Sequence, residues 1–312
     1  MAVFTTFGEL PSTGLRLGWG GTIREDLQDF ITNVSPQEVP LLAGLQQVKV
    51  QSYHVEWIED ELPARGLNAV NEGIAFTETT ISLGVRRHTT VQTFYQAGLI
   101  SDGERDAAHA AIGDPFVYAE HKAFLSLRGD IEHALHRGSE VTGAVSTPRQ
   151  FNGLLNAFPS GVTKTSAFSL GASSGAGEAA FNTILEIMYQ MGDLQPAELY
   201  CNSRVKRKIS AFNTRSTFNL NAEDKRQVLT TDVYVSDFGT TRLYLSRDQL
   251  QASNLCSWVV IDPRYLATGW YSPVRRETLS RDGLRDRFQI SAALTLIPKS
   301  SKACVGAIEE EV

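Results

Sequence analysis

Residues Asp114 to Arg137, DPFVYAEHKAFLSLRGDIEHALHR, restrict what this chain can fold into more than any other stretch. Asp114 is a good N-cap, and Pro115 stands at the first helical position, where a missing N–H costs nothing. Val117, Phe124, Leu127, Ile131, Ala134 and Leu135 recur at spacings of three and four, which predicts one apolar stripe. Glu120, Lys122, Arg128 and Glu132 fall on the other faces. Gly138 ends the run as the residue just past the C-cap. At ~1.5 Å per residue the helix would be a rod of about 36 Å. With a single apolar stripe it is a strut laid across a sheet.

The remaining residues must build that sheet and its surroundings. A chain of 312 residues exceeds one typical domain, and its 42% hydrophobic and 21% charged content allows a sizeable core. No apolar run reaches about 18 residues, so no transmembrane helix is expected. The opening MAVFTTFGELPSTG lacks the basic and apolar regions of a signal peptide. Cys201, Cys256 and Cys304 are widely spaced and odd in number. That argues against a disulfide framework or zinc knuckle and suits a reducing cytosol. The net charge of −6 argues against a strong grip on nucleic-acid phosphates. The one basic cluster, Arg204, Lys206, Arg207 and Lys208, reads as a solvated helix face.

Taken in order, the chain begins with an arm. Gly18, Gly20 and Gly21 leave its first part loose; Thr22 and Glu25 then form a capping box for IREDLQDFITNV, which Pro36 and Pro40 stop. From about Val48 to Tyr95 the period changes to two. Tyr53, Val55 and Trp57 alternate with His54 and Glu56, and a second alternation runs through Ala75, Thr77, Thr79, Ile81 and Leu83. Between them lies the loop DELPARGLNAVNEG. Two strands alone are marginal in water, so this excursion must pack on its own body or on a neighbouring copy. SDGERDAAHAAIG predicts a short helix, EAAFNTILEIMYQMG another after a Gly/Ser loop, and SRVKRKISAF a basic one. Strands are predicted at ELYCN, TDVYVSDFG, TRLYLSR, WVVID, YLATGWY, FQISAALTLIP and ACVGAI. The mixture lacks regular βαβ alternation and points to an α+β fold.

Catalytic patterns are weak. The loop Gly171 to Gly177 lacks both the Gly-Lys-Ser/Thr ending of a P-loop and GxGxxG. His121, His133 and His136 share the long helix, but neither HEXXH nor a spaced Cys set joins them, so a metal-dependent hydrolase is only an alternative. His54 with Glu56 lacks the P-C-x-x-C of a zinc deaminase, no G-x-S-x-G is present, and Arg128-Gly129-Asp130 falls inside a helix. Glu59, Asp60 and Glu61, with Arg65, Arg86 and Arg87 near them in sequence, suit charge complementarity between surfaces better than hydrolysis.

Four patches in sequence, REDLQDFITNVSPQEVPLL (Arg24 to Leu42), HVEWIEDEL with NAVNEG (His54 to Gly73), RGDIEHAL (Arg128 to Leu135) and LSRDGLRDRFQISAALTLIPKSSKACVGAI (Leu279 to Ile308), resemble the major head proteins of tailed bacteriophages. The resemblance implies the Hong Kong 97 capsid fold. Its arm would be residues 1–46, its extended loop 47–91, and its peripheral domain 92–150 with a spine helix over 114–137. The axial domain would cover 151–254, and the C-terminal strands shared by both domains 255–312.

It further implies a structural protein without cofactor, whose copies form hexamers and pentamers of an icosahedral head, assembled in the host cytoplasm. Portal protein, separate scaffolding and decoration proteins, and weakly held double-stranded DNA would be its partners, with no membrane. Between copies, Trp57 would anchor the extended loop, and Glu59, Asp60 and Glu61 would meet arginines such as Arg65, Arg86 and Arg87. Asp26 and Phe30 would serve the arm. No lysine lies between Lys49 and Lys122, so the isopeptide cross-link that some such loops make is not expected. An encapsulin-type nanocompartment is the alternative within this fold.

Overall fold

The computed structural model describes residues 38–63, 65–67, 69–73, 83–107, 112–157, 176–212, 232–249 and 255–310. The arm helix with Asp26 and Phe30, the alternation at 75–82 and the Gly/Ser loop at 171–175 lie outside them.

The long helix, α3 (Pro115–Arg137), begins where Asp114 accepts a hydrogen bond from the Phe116 N–H at 2.9 Å. Its buried stripe differs from the expected one. Leu127, Ile131, Ala134 and Leu135 are buried, but Val117 and Phe124 are exposed, while Phe116, Glu120, Glu132 and His136 are buried. The two glutamates are tolerated inside because each has partners. Glu120 takes a 2.6 Å hydrogen bond from Arg276, and Glu132 serves as a backbone acceptor described below. Gly138 is not in the left-handed conformation (φ −52°). Its small size serves a backbone crossing instead: its carbonyl accepts from the Gly153 N–H at 2.9 Å.

Under α3 lies a four-stranded sheet in the order β1-β9-β10-β4, made of β1 (Gln46–Lys49), β4 (Gln92–Ser101), β9 (Leu266–Leu279) and β10 (Arg285–Pro298). Only the β1–β9 pair is parallel. Phe116 meets Phe288 edge to face at 5.4 Å, and Gln96 donates to Asp130 at 2.7 Å, so β4 and β10 turn their even-numbered residues toward the helix. A second sheet, β11-β8-β5-β7-β6, joins β5 (Glu198–Cys201), β6 (Val233–Ser236), β7 (Gly239–Leu245), β8 (Leu255–Ile261) and β11 (Cys304–Glu310). Its core gathers α4 (Ala176–Gln190) and α5 (Ser203–Phe212) around Trp258, with Phe181 at 5.3 Å. In the basic cluster on α5 only Arg207 is exposed; Arg204, Lys206 and Lys208 are half-buried, with Lys206 bonded to Asp232 at 2.7 Å. The short helix after β4 is only α2 (Asp102–Asp106), capped by Ser101.

Burial explains the cysteines. All three are buried and unbridged, and burial pushes the Cys201 thiol up to about 12 and the Cys304 thiol far above its ordinary value. A thiol reagent at pH 8 is therefore expected to label none of the 3 cysteines in the native subunit and all of them in denaturant.

Asp262 ties the two sheets' connections together. Burial raises its carboxyl pKa, but hydrogen bonds from the Arg264 guanidinium (2.7 Å) and the Gln195 N–H (3.0 Å) outweigh that and hold it below the usual range. A depressed carboxyl stabilises the fold above its unfolded value of ~3.9, and that contribution is lost as pH falls through the folded value. Asp262→Asn should lower unfolding free energy by about 2 kcal/mol at pH 7. Denaturant titrations should show the variant losing less stability than the parent below about pH 4.

Candidate assembly interface

The excursion from the body is a hairpin of β2 (His54–Glu59) and β3 (Val85–Thr90), paired from His54↔Thr90 to Glu59↔Val85. The strand that pairs with β2 is VRRHTT, while the alternation expected through 75–82 lies outside the described residues. Leu83 itself lies outside any strand. Pairing with β2, rather than an alternating pattern of its own, makes Val85–Thr90 a strand, and its four residues Val85–His88 are exposed.

The hairpin root is held by its own chain. Thr89 and Thr295 hydroxyls share a 2.9 Å hydrogen bond, and the Thr90 hydroxyl donates to the Gln150 carbonyl. Glu59 accepts from the Ser301 N–H at 2.6 Å and from Arg87 at 3.1 Å, and these bonds hold its carboxyl below the usual value against the opposing effect of burial. Glu61 takes Lys302 at 2.6 Å, and Arg86 lies 3.3 Å from Glu56. Trp57 is half-buried beside Glu59, and its indole N–H is shut off from solvent without a partner among the described residues. Glu59, Glu61 and Arg87 thus have partners inside the subunit. Asp60 and Arg65 stay exposed, and Asp60 accepts only the neighbouring Glu61 N–H among the described residues.

Past this root the loop turns apolar residues outward. Leu62 is 90% exposed, Leu67 100% and Val70 74%, with Glu72 beside them. On the first sheet, the face turned away from α3 also shows apolar surface, with Tyr95 71% and Leu99 58% exposed. Beside them opens a cavity of about 660 Å³ lined by Lys49, Gln51, Tyr53, Thr93, Tyr271, Ser272, Arg275 and Ser291 among others, with no carboxylate in its wall. Neither Lys49 nor Arg275 has an ion-pair partner among the described residues, and Arg149 stacks over Tyr53 at 4.2 Å. An apolar groove along Val48, Trp270, Pro273 and Val274 adjoins it. Two desolvation-ready apolar surfaces, one with spare carboxylates and one with spare cations, are complementary in chemistry.

No comparable convergence exists for catalysis among the described residues. His133 faces Asp248 at 3.4 Å on the surface, whereas His136 is buried among Glu132, Ser246 and Gln249. Among the described residues no group of three or more ligand-type side chains could hold a metal ion. Sequence reasoning placed Glu132 on an outer face. Its only local sign is that Glu132 and His136, four apart, directly follow the buried Ile131 and Leu135.

Comparison with known proteins adds the family. A family model described as SU10 major capsid protein matches residues 3–310. No curated protein matches the sequence significantly. Among solved structures, the capsid of Myoviridae phage XM1 superposes with a TM-score of 0.67 at 15% identity, covering 96% of this chain and 100% of that one. Mycobacterium phage Bobi gives a TM-score of 0.65 at 11% identity over 94% and 98%. The SrpI encapsulin of Synechococcus elongatus PCC 7942 gives 0.57 at 9% identity over 94% of each. At these identities the likeness is one of fold.

Proposed function

Because the chain belongs to the SU10 major capsid protein family, matched over residues 3–310, we propose that its copies gather as pentamers and hexamers in an icosahedral head around double-stranded DNA. It is a major capsid protein of a tailed phage, a structural protein and not an enzyme, and many copies build the virion shell. Its work is therefore done by contacts. Assembly in the host cytoplasm, a portal at one vertex, and separate scaffolding and decoration proteins complete the proposal. The genome is held weakly, since a subunit of net charge −6 repels phosphates on average.

The residues expected at the contact divide by what they already touch. Trp57, Glu59, Glu61, Arg86 and Arg87 shape the hairpin, while Asp60 and Arg65 reach a second copy together with Leu62, Leu67, Val70 and Glu72. The observations that support this division are the loop's exposed leucines and a sheet face whose Lys49 and Arg275 lack ion-pair partners among the described residues. The carboxylates of Asp60 and Glu72 from one copy enter that basic cavity on another. Asp26 and Phe30 make arm contacts.

Expressing the chain, alone and with its neighbouring genes, and imaging the particles by electron microscopy tests the function; persistent monomers in both cases would sink it. The contact has its own test. The double change Lys49→Glu and Arg275→Glu should leave thermal unfolding unchanged and cut shell yield about tenfold or more, since like charges at an interface cost several kcal/mol. Adding Asp60→Lys and Glu72→Lys should restore shells.

A further inference from the structure

A buried polar network lies where the arm enters the body. The backbone N–H groups of Leu41 and Leu42, in α1 (Pro40–Gly44), donate to the two oxygens of the Glu132 carboxylate, each at 2.8 Å. Glu132 and His136 have no exposed surface. The His136 Nε2 lies 3.2 Å from Glu132 Oε1 and 3.0 Å from the Ser246 hydroxyl, while Nδ1 faces the Gln249 amide nitrogen at 3.0 Å. The Ser257 hydroxyl donates to Gln249 Oε1 at 2.8 Å, which turns the amide nitrogen toward the ring. Nδ1 is then the acceptor, and Nε2 carries the proton toward Glu132 and Ser246.

One buried chain of hydrogen bonds therefore runs from the arm's first described turn, through the long helix, to the segment after β7 and into β8 on the second sheet. Leu41 is fully buried beside it, so apolar packing fixes where α1 sits. The two N–H contacts do something packing alone does not: they fix α1's orientation, because a carboxylate takes two parallel donors in only one geometry. A buried carboxylate without these donors would be strongly unfavourable, and the donors without it would be orphaned.

We propose that Glu132 is a positioning residue for assembly: it clamps Leu41 and Leu42 and so aims the part of the arm that precedes α1, residues 1–39, at the neighbouring copy. The inference rests on the shell-building role, and goes beyond it by naming the residue that sets the arm's direction. His136, Gln249 and Ser257 hold the carboxylate in place and tie that direction to the second sheet.

The test uses the full-length, unassembled subunit first. In Glu132→Gln, one oxygen remains to accept a backbone N–H and the second donor is orphaned. Amide exchange at Leu41 and Leu42 should accelerate about tenfold or more, the effect expected from one lost buried hydrogen bond, while exchange in β8 and β10 stays as in the parent. Glu132→Leu should show a larger local effect, and Glu132→Asp should restore part of the protection because it keeps both oxygens. In assembly reactions, shell yield should follow the same order, with parent above Asp, then Gln, then Leu. Unchanged exchange at Leu41 and Leu42 in the Gln variant would overturn the clamp. Accelerated exchange with normal shells from both Gln and Leu variants would overturn the aiming role. A parent chain that makes no shells would instead defeat the proposed function while leaving the exchange result standing. If the Leu variant does not fold, the Gln and Asp pair still decides.

Discussion

A subunit carrying Gly153→Val is expected to fail to fold, accumulating as insoluble protein at temperatures where the parent is soluble. A Cβ on residue 153 would stand 2.6 Å from the Gly138 nitrogen and 2.7 Å from the Ala134 carbonyl oxygen, and one on residue 138 would stand 2.6 Å and 2.7 Å from the carbonyls of Ala134 and Phe151. Both obstacles are backbone, so no rotamer change relieves them. The crossing is also where α3 stops, with the Gly138 N–H donating to Ala134 at 2.8 Å and the Gly153 N–H to Gly138 at 2.9 Å. Forcing it apart would move the end of the helix, together with the buried Phe151, Leu154 and Leu155 that follow. A cost of about 4 kcal/mol or more is expected, against a total of ~5–15 kcal/mol for an ordinary protein. Gly153→Ala is the graded version: soluble, with a clearly lowered melting temperature. Gly129→Ala is the control, since Gly129 is in the same helix and a Cβ there would meet nothing within 4 Å. It should leave stability unchanged or raise it by about 0.5–1 kcal/mol.

The same helix shows which features were legible in the sequence. Its start and length were, because capping by Asp114 and Pro115 is local chemistry. The apolar stripe of its C-terminal half also read correctly, since Leu127, Ile131, Ala134 and Leu135 are all buried. The N-terminal half did not, because Val117 and Phe124 have the right spacing yet face away from the sheet. Periodicity tells which residues share a face, and only tertiary packing tells which face is covered. Glu132 is the clearest miss: the two N–H groups it accepts from lie about ninety positions away in α1, and the only sign within a helical turn is His136 four residues on. Gly138 was found for the wrong reason, a close crossing being invisible until Gly153 is placed against it. In the hairpin, VRRHTT has little of an apolar alternation, and β2 supplies the strand character by pairing. The candidate contact was readable only as a charge pattern. Which of its carboxylates already had partners depended on Ser301 and Lys302, more than two hundred residues downstream.

Replacing Asp60–Gly84 by Asn-Gly is expected to give a subunit that is folded, as stable as the parent, and unable to close shells. The design follows from register. Glu59 and Val85 are directly paired, so a two-residue turn can join them without disturbing β2 or β3. The deletion spares the root: Thr89–Thr295, Thr90–Gln150, Glu59–Ser301 and Glu59–Arg87 all remain. It removes the Glu61–Lys302 pair, which is largely solvent-exposed and contributes at most about 1 kcal/mol. It also removes Leu62, Leu67 and Val70, whose apolar surface stabilises nothing in the isolated subunit because water already covers it. Burying three such side chains between copies would contribute roughly 1.5–3 kcal/mol each. A shell repeats every contact in every copy, so a loss of that size at each one removes the shell rather than weakening it. Circular dichroism and thermal melting should therefore match the parent, while sedimentation finds only small species. Full-size shells from the shortened chain would show that the loop is ornamental and that another surface closes the head; a shortened chain that melts well below the parent would show that the loop serves the subunit itself.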